Sequence, residues 1–232
     1  QGVGIAFGSG LKWGNLRCGP HFLLLYPEYH TKSVKFLCNS AGLWYNTSIR
    51  NAKGGYNMPN QERLRETKHH GAVRFPFDIY PCTIPGDFLQ VPLHWHDSME
   101  LVYVKKGSGI VQVGVNAYPA EQGDIYIFAP GTLHALHQRG QAVMEYENII
   151  FELELLGGAD DLCAERYLLP LQSGRMALQP RIIPGEAGYP QAAACLQEAE
   201  EANKVKNAGY ELAIKGALLR FLSILIGQHG TR

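Results

Sequence analysis

Several features that would place a chain in other classes are missing here. There is no net charge: 21 Lys and Arg balance 21 Asp and Glu over 232 residues, so nothing in the overall balance points to a nucleic-acid surface. No apolar run approaches a membrane span, since the longest resemble Phe22–Tyr26 in length. No positively charged start precedes an apolar core, so no secretory signal is read. The five cysteines (Cys18, Cys38, Cys82, Cys163, Cys195) are odd in number, scattered and without CxxC spacing. That argues against a disulfide framework and for a reducing, cytoplasmic setting. What remains is a chain of ordinary apolar content, long enough for one large or two small domains.

The zero balance hides an asymmetry. Residues 1–57 hold six basic residues (Lys12, Arg17, Lys32, Lys35, Arg50, Lys53) against Glu28 alone, a net +5 that leaves −5 for the rest. Glycines interrupt this stretch, and it keeps neither a period of two nor of 3.6. Lys53-Gly54-Gly55 can be encoded by a purine-rich run resembling a bacterial ribosome-binding site just ahead of Met58. Residues 1–57 therefore read as translated upstream DNA before a true start at Met58, with a disordered or basic arm as the alternative.

Residues 58–72 are polar and form a solvated lead-in. From Val73 to Leu155 short β-forming runs alternate with turn residues, the pattern of a sandwich or barrel. Strands are expected from Val73 to Tyr80, Glu100 to Val104, Ile110 to Val113, Ile125 to Phe128, Leu133 to Gln138 and Ala142 to Leu153. Lys105–Gly109 reads as a turn between two of them, and Pro76, Pro81, Pro85 and Pro92 confine their region to edges and turns. The stretch 156–228 is helical in character. A short helix capped by Asp160 or Asp161 should end at Pro170, and amphipathic helices are expected over Gln191–Asn203 and Tyr210–Ile226. In the last, Tyr210, Ala213, Ile214, Ala217, Leu218, Phe221, Leu222 and Leu225 form one apolar stripe. Leu212, Leu219 and Ile226 form a second, for which an equivalent helix of another subunit is the simplest partner; full burial within the chain is the alternative.

The chemistry concentrates in two blocks, His94-Trp95-His96-Asp97-Ser98-Met99-Glu100 with Gly107 beyond it, and Gly123-Asp124 through Pro130-Gly131-Thr132-Leu133-His134. On a strand, His94 and His96 share a face, and Glu100 keeps that parity. A helix would point residues two apart away from each other. With His134 arriving from a neighbouring strand, three imidazoles and a carboxylate could hold Mn, Fe, Ni or Zn and leave positions open for water or substrate. The same four could line a metal-free polar pocket, or only pack. An ionised Glu100 inside a barrel needs a metal, a protonated histidine or a ligand hydroxyl to offset it.

These blocks resemble the two motifs of the cupin superfamily. The second departs from it: Gly131 directly follows Pro130, and no asparagine follows His134 at the usual distance. That variant is similar to the sensor domains of AraC-type transcription regulators. Tyr167–Leu171, Arg181–Pro184 and Gly209–Leu225 resemble the helical part of such sensors. The resemblance spans about residues 73–226. It implies a mainly β protein with C-terminal helices, a cupin-like β-barrel (double-stranded β-helix) at 73–155 and a dimerisation segment at 156–228. It further implies a small-molecule effector, often a carbohydrate, bound by His94, His96, Glu100 and His134. Tyr126 and Phe128 are candidates to stack on it, although both types are common in β cores. No cofactor is required, and a divalent metal on the four ligands is conditional. A homodimer is implied, without membrane contact. DNA would be reached only through a C-terminal helix-turn-helix domain, for which the seven residues after Leu225 are too few. A stand-alone cupin metalloenzyme, an isomerase or dioxygenase, is the competing reading.

Overall fold

Alternation along the strands sorts side chains to two sides of one sheet system, and the computed structural model, which describes residues 61–229 other than Ala159, shows what lies on each side. The described residues form eight strands: β1 (Phe77–Ile84), β2 (Gln90–His94), β3 (Met99–Val113), β4 (Asn116–Glu121), β5 (Ile125–Phe128), β6 (His134–Gln138), β7 (Met144–Phe151) and β8 (Arg181–Ile182). In β3, Met99, Leu101 and Tyr103 join Ile125, Ile127, Ile149 and Phe151 in a core that also contains the helices. Val102 and Val104 face the other way and join Tyr126, Phe128, Leu136, Met144 and Tyr146 in the barrel interior. Period-two patterning thus builds two cores from one set of strands.

The 15-residue β3 is the common member of two sheets. Its first half pairs antiparallel with β7 and β5, and its second half with β4 and β6. The turn expected at Lys105–Gly109 is absent; the strand continues through a bulge between Val104 and Lys106 and changes sheet there. Gly107 makes this passage possible. Its φ is +76°, and a Cβ there would lie 1.8 Å from the carbonyl oxygen of Val143. A residue read as turn punctuation is instead the point of closest backbone approach. Of the prolines expected at edges, Pro81 and Pro92 lie in β1 and β2, each of which pairs along only one side, and Pro119, for which no edge was expected, lies likewise in β4. Strand β1 begins at Phe77, later than Val73, because Ala72–Phe75 closes a tight turn.

The helical half packs on the outer face. The chain turns through a π-helical Ala164–Leu168 directly into α1 (Leu169–Gln172). Asp161 does accept from the backbone N–H of Cys163, at 2.8 Å. Pro170 does not stop the helix, because the wider π turn ahead of it relieves the clash its ring would make in a regular α-helix. Helices α2 (Tyr189–Val205) and α3 (Tyr210–His229) then form a hairpin around a left-handed Lys206. In α3, Ile214, Ala217, Leu218, Phe221, Leu222 and Leu225 are buried, so the main stripe faces the sheet. Ala213 of that stripe is exposed. Of the second stripe, Leu212 is 76% and Leu219 38% exposed, whereas Ile226 is partly buried against the same core. No helix among the described residues is long and apolar enough to cross a membrane. The reading of residues 1–57 as a leader lies outside the described residues.

Candidate functional site

Register brings the histidines together. Cross-strand pairing sets His94 of β2 opposite His134 of β6, and β6 in turn runs beside the second half of β3. The second sequence block closes around the first: the Gly131 amide donates to the His96 carbonyl at 2.8 Å. Gly131 holds φ +77° with open space around it, so its glycine answers to the backbone angle alone. Phe128 stacks on the His134 ring at 4.2 Å with an interplanar angle of 11°.

Each imidazole is oriented by its own backbone. His94 Nδ1 lies 2.9 Å from the Pro92 carbonyl, His96 Nδ1 3.1 Å from that of Ser98, and His134 Nδ1 2.8 Å from that of Thr132. A carbonyl only accepts, so each Nδ1 carries the proton and donates. The three Nε2 atoms therefore face inward, which is how carbonyls that accept from Nδ1 commonly prepare metal-ligating histidines. His96 Nε2 and His134 Nε2 lie 2.6 Å and 3.1 Å from the same oxygen of Glu100.

Glu100 is 2% exposed. Burial pushes its carboxyl upward, but the charge of His134 and the hydrogen bonds from His134 and His96 outweigh burial and hold it well below the usual carboxylate range. Burial opposes charge on His96 too, yet the hydrogen bond and charge of Glu100 raise it above the ordinary imidazole value. His94 is lowered, by burial and then by the charge of His134. One ligand atom from each of His94, His96, Glu100 and His134 lies within 4.8 Å of the others. Once His96 and His134 give up the Nε2 protons they share with Glu100, three inward lone pairs and an ionised carboxylate would make a donor set that fits a divalent ion of borderline hardness.

Beside this cluster lies a cavity of about 740 Å³, which His94 and Glu100 line together with Leu136, Tyr146 and Asn148. The lead-in reaches it. Leu64 and Glu66 exchange backbone hydrogen bonds with Trp95, Arg65 pairs with Asp97 and covers the Trp95 ring, and Glu66 and His70 line the cavity. The lead-in, read from sequence as solvated, thus contains a buried His70, and its Arg65 bridges Trp95 just past the end of β2. Tyr126 and Phe128 face the barrel interior but are fully buried. Neither lines the cavity; Tyr126 donates its hydroxyl to the Pro119 carbonyl, and Phe128 backs His134. The sequence reading missed His70, Tyr80, Tyr146 and Asn148. Parity could have found Asn148, a polar residue on the inward face of an apolar strand. An irregular segment carries no such signal for His70.

Comparison with known proteins gives a family. Residues 89–222 match the model of the AraC-like ligand binding domain. An uncharacterized HTH-type transcriptional regulator, YdeC of Bacillus subtilis (strain 168), is 29% identical over 84 residues, which is 36% of this chain and 29% of that relative's length. Among solved structures, a Cupin 2 conserved barrel domain protein from Salinispora arenicola aligns at 20% identity and a TM-score of 0.31, covering 34% of this chain and 66% of that one. Oxalate decarboxylase of Bacillus subtilis aligns at 22% identity and a TM-score of 0.25, covering 27% and 18%.

Proposed function

The chain belongs to the AraC-like ligand binding domain family, and from that premise we propose that its barrel senses a small polar metabolite, a carbohydrate or related compound, for a transcription regulator. The observation that carries this reading is the 740 Å³ cavity abutting the cluster of half-buried His94 with buried His96, Glu100 and His134. Its size suits a small metabolite, and its few convergent polar groups suit a hydroxylated one. Binding changes the regulator only through differential affinity for two arrangements of barrel, lead-in and helices. The lead-in contacts at Trp95, Asp97 and His94 are the parts of this chain best placed to differ between them. Leu212 and Leu219 serve a homodimer, and DNA contact belongs to a separate helix-turn-helix domain of the whole regulator, a cytoplasmic protein.

A divalent ion, if part of the sensor, would be held by His94, His96, Glu100 and His134, and would supply a Lewis-acidic point for ligand oxygens. The same donor set is the one observation favouring a cupin metalloenzyme. Our reading makes the chain a non-enzyme, with the effector in the lumen and the four residues as binding groups.

The test is a thermal-shift and calorimetric screen of the full chain against sugars, uronic acids and divalent ions. A ligand at about 100 times its Kd adds about 2.7 kcal/mol of stability to the form that binds it. Glu100→Gln is expected to weaken the response at least tenfold. Ligands that bind Glu100→Gln as well as wild type, or metal-dependent turnover lost in His96→Ala, would overturn the sensor account.

A further inference from the structure

A hydrogen-bond relay on the cavity wall fixes the state of His70. The Tyr80 hydroxyl donates to Asp78 Oδ2 at 2.9 Å, which uses its one proton. His70 Nδ1 lies 3.1 Å from the same hydroxyl oxygen, so Nδ1 must be the donor in that pair. The neutral ring then carries a bare lone pair on Nε2. His70 is 6% exposed, and its Nε2, sealed from solvent, finds no hydrogen-bond partner among the described residues. Burial, and next the nearby charge of Lys68, favour the neutral ring.

Asn148 repeats the pattern from the adjoining strand. The β1–β7 register sets it opposite Tyr80, and the β3–β7 register sets it opposite Val102, one inward position from Glu100. Its side-chain oxygen is likewise buried without a partner, and both residues line the 740 Å³ cavity. Buried polar atoms in native proteins are nearly always paired, so two orphans carried by residues of one cavity wall call for a partner, which a ligand group supplies once the side chains turn toward it.

We propose that His70 and Asn148 form a second recognition wall of this cavity, one that accepts hydrogen bonds from hydroxyl or amino groups of the effector and disfavours a carboxylate in that position. The inference rests on the lumen being the effector site and adds the chemistry its wall selects. A carboxylate here would set its oxygens against lone pairs. A hydroxyl or ammonium would give either acceptor the donor it lacks. Tyr80 acts as a positioning residue, since it holds the His70 tautomer without needing to touch the ligand.

The experiment is calorimetric titration of the full chain, wild type and the variants His70→Phe, Asn148→Leu and Tyr80→Phe. The probes are aldoses, their aldonates and the matching amino sugars on the same carbon skeletons. Wild type should bind at least one aldose or amino sugar tenfold or more tighter than its aldonate. His70→Phe and Asn148→Leu should each shrink that ratio below about threefold by weakening the neutral or amino partner. Tyr80→Phe should shrink it partially. Without ligand, His70→Phe should melt no lower than wild type, because it replaces an unpaired buried acceptor by an apolar ring. Preference for the aldonate, unchanged binding in both His70→Phe and Asn148→Leu, or a ligand-free melting point several degrees lower in His70→Phe would overturn this wall while leaving the sensor reading intact. Absence of binding by every probe would overturn both.

Discussion

Gly107 and Gly114 look alike in sequence, each among strand residues, and both have positive φ. Their surroundings separate them. A Cβ on Gly107 would strike the Val143 carbonyl, whereas one on Gly114 meets nothing within 4 Å. Gly114→Ala carries only the left-handed backbone penalty, about 1 kcal/mol. Gly107→Ala must in addition displace the Val143 carbonyl that leads into β7, and a loss of at least about 2 kcal/mol is expected by urea denaturation. Equal losses in the two variants would mean that the close approach at Val143 does not constrain β3. The same distinction runs through the histidine cluster. His94, His96, Glu100 and His134 were legible because identity, parity and spacing suffice to suggest a shared face. The Nδ1 partners that aim the rings, the carbonyls of Pro92, Ser98 and Thr132, were not, since backbone carbonyls leave no trace in side-chain identity.

Between elements, the joint of β3, β7 and α2 is electrostatic as well as apolar. Lys105 Nζ lies 3.1 Å from Glu147 and 2.9 Å from Glu200, and caps the Tyr103 ring at 4.6 Å. Burial and the neighbouring Glu200 push the Glu147 carboxyl up to about 7, against the pull of Lys105. A raised carboxyl value means that the folded chain holds a proton the unfolded chain has already released. The Glu147 contribution to stability is therefore fully present below the ordinary value near 4.5 and is lost as pH rises through about 7. Glu200 is shifted the opposite way, down, by Glu147 and Lys105 acting against burial, so its contribution is lost on acidification instead. Between about pH 5 and pH 8, wild type should lose stability relative to Glu147→Gln, which cannot titrate. Parallel melting curves for the two proteins across that range would refute the assignment. This joint was not foreseen, because Lys105 and Glu147 meet only through the β3–β7 register and Glu200 only through helix packing.

At the scale of the whole molecule, α3 presents two faces with different consequences. Phe221 is fully buried between helices and sheet, so Phe221→Ala should destabilise by about 3–5 kcal/mol. Leu212 and Leu219 project from the opposite side, and the double change Leu212→Glu with Leu219→Glu should leave the unfolding free energy in urea within about 0.5 kcal/mol of wild type at dilutions where both proteins are monomers. In sedimentation velocity it should convert a dimer to a monomer; a wild-type monomer, or a variant that still dimerises, would remove α3 from the proposed interface. The sequence by itself determined the mainly β class, the helical C-terminal part, the edge position of the prolines and the identity of the four-residue cluster, because alternation, helical period and ring chemistry are local properties. It also carried the two motifs by which the family is recognised. Only the tertiary structure decided that β3 is one strand serving two sheets, that Tyr126 and Phe128 are packing beneath the site, and that the lead-in brings His70 to the cavity. Each of these depends on contacts between residues far apart in the chain, which hydrophobic period and turn chemistry do not encode.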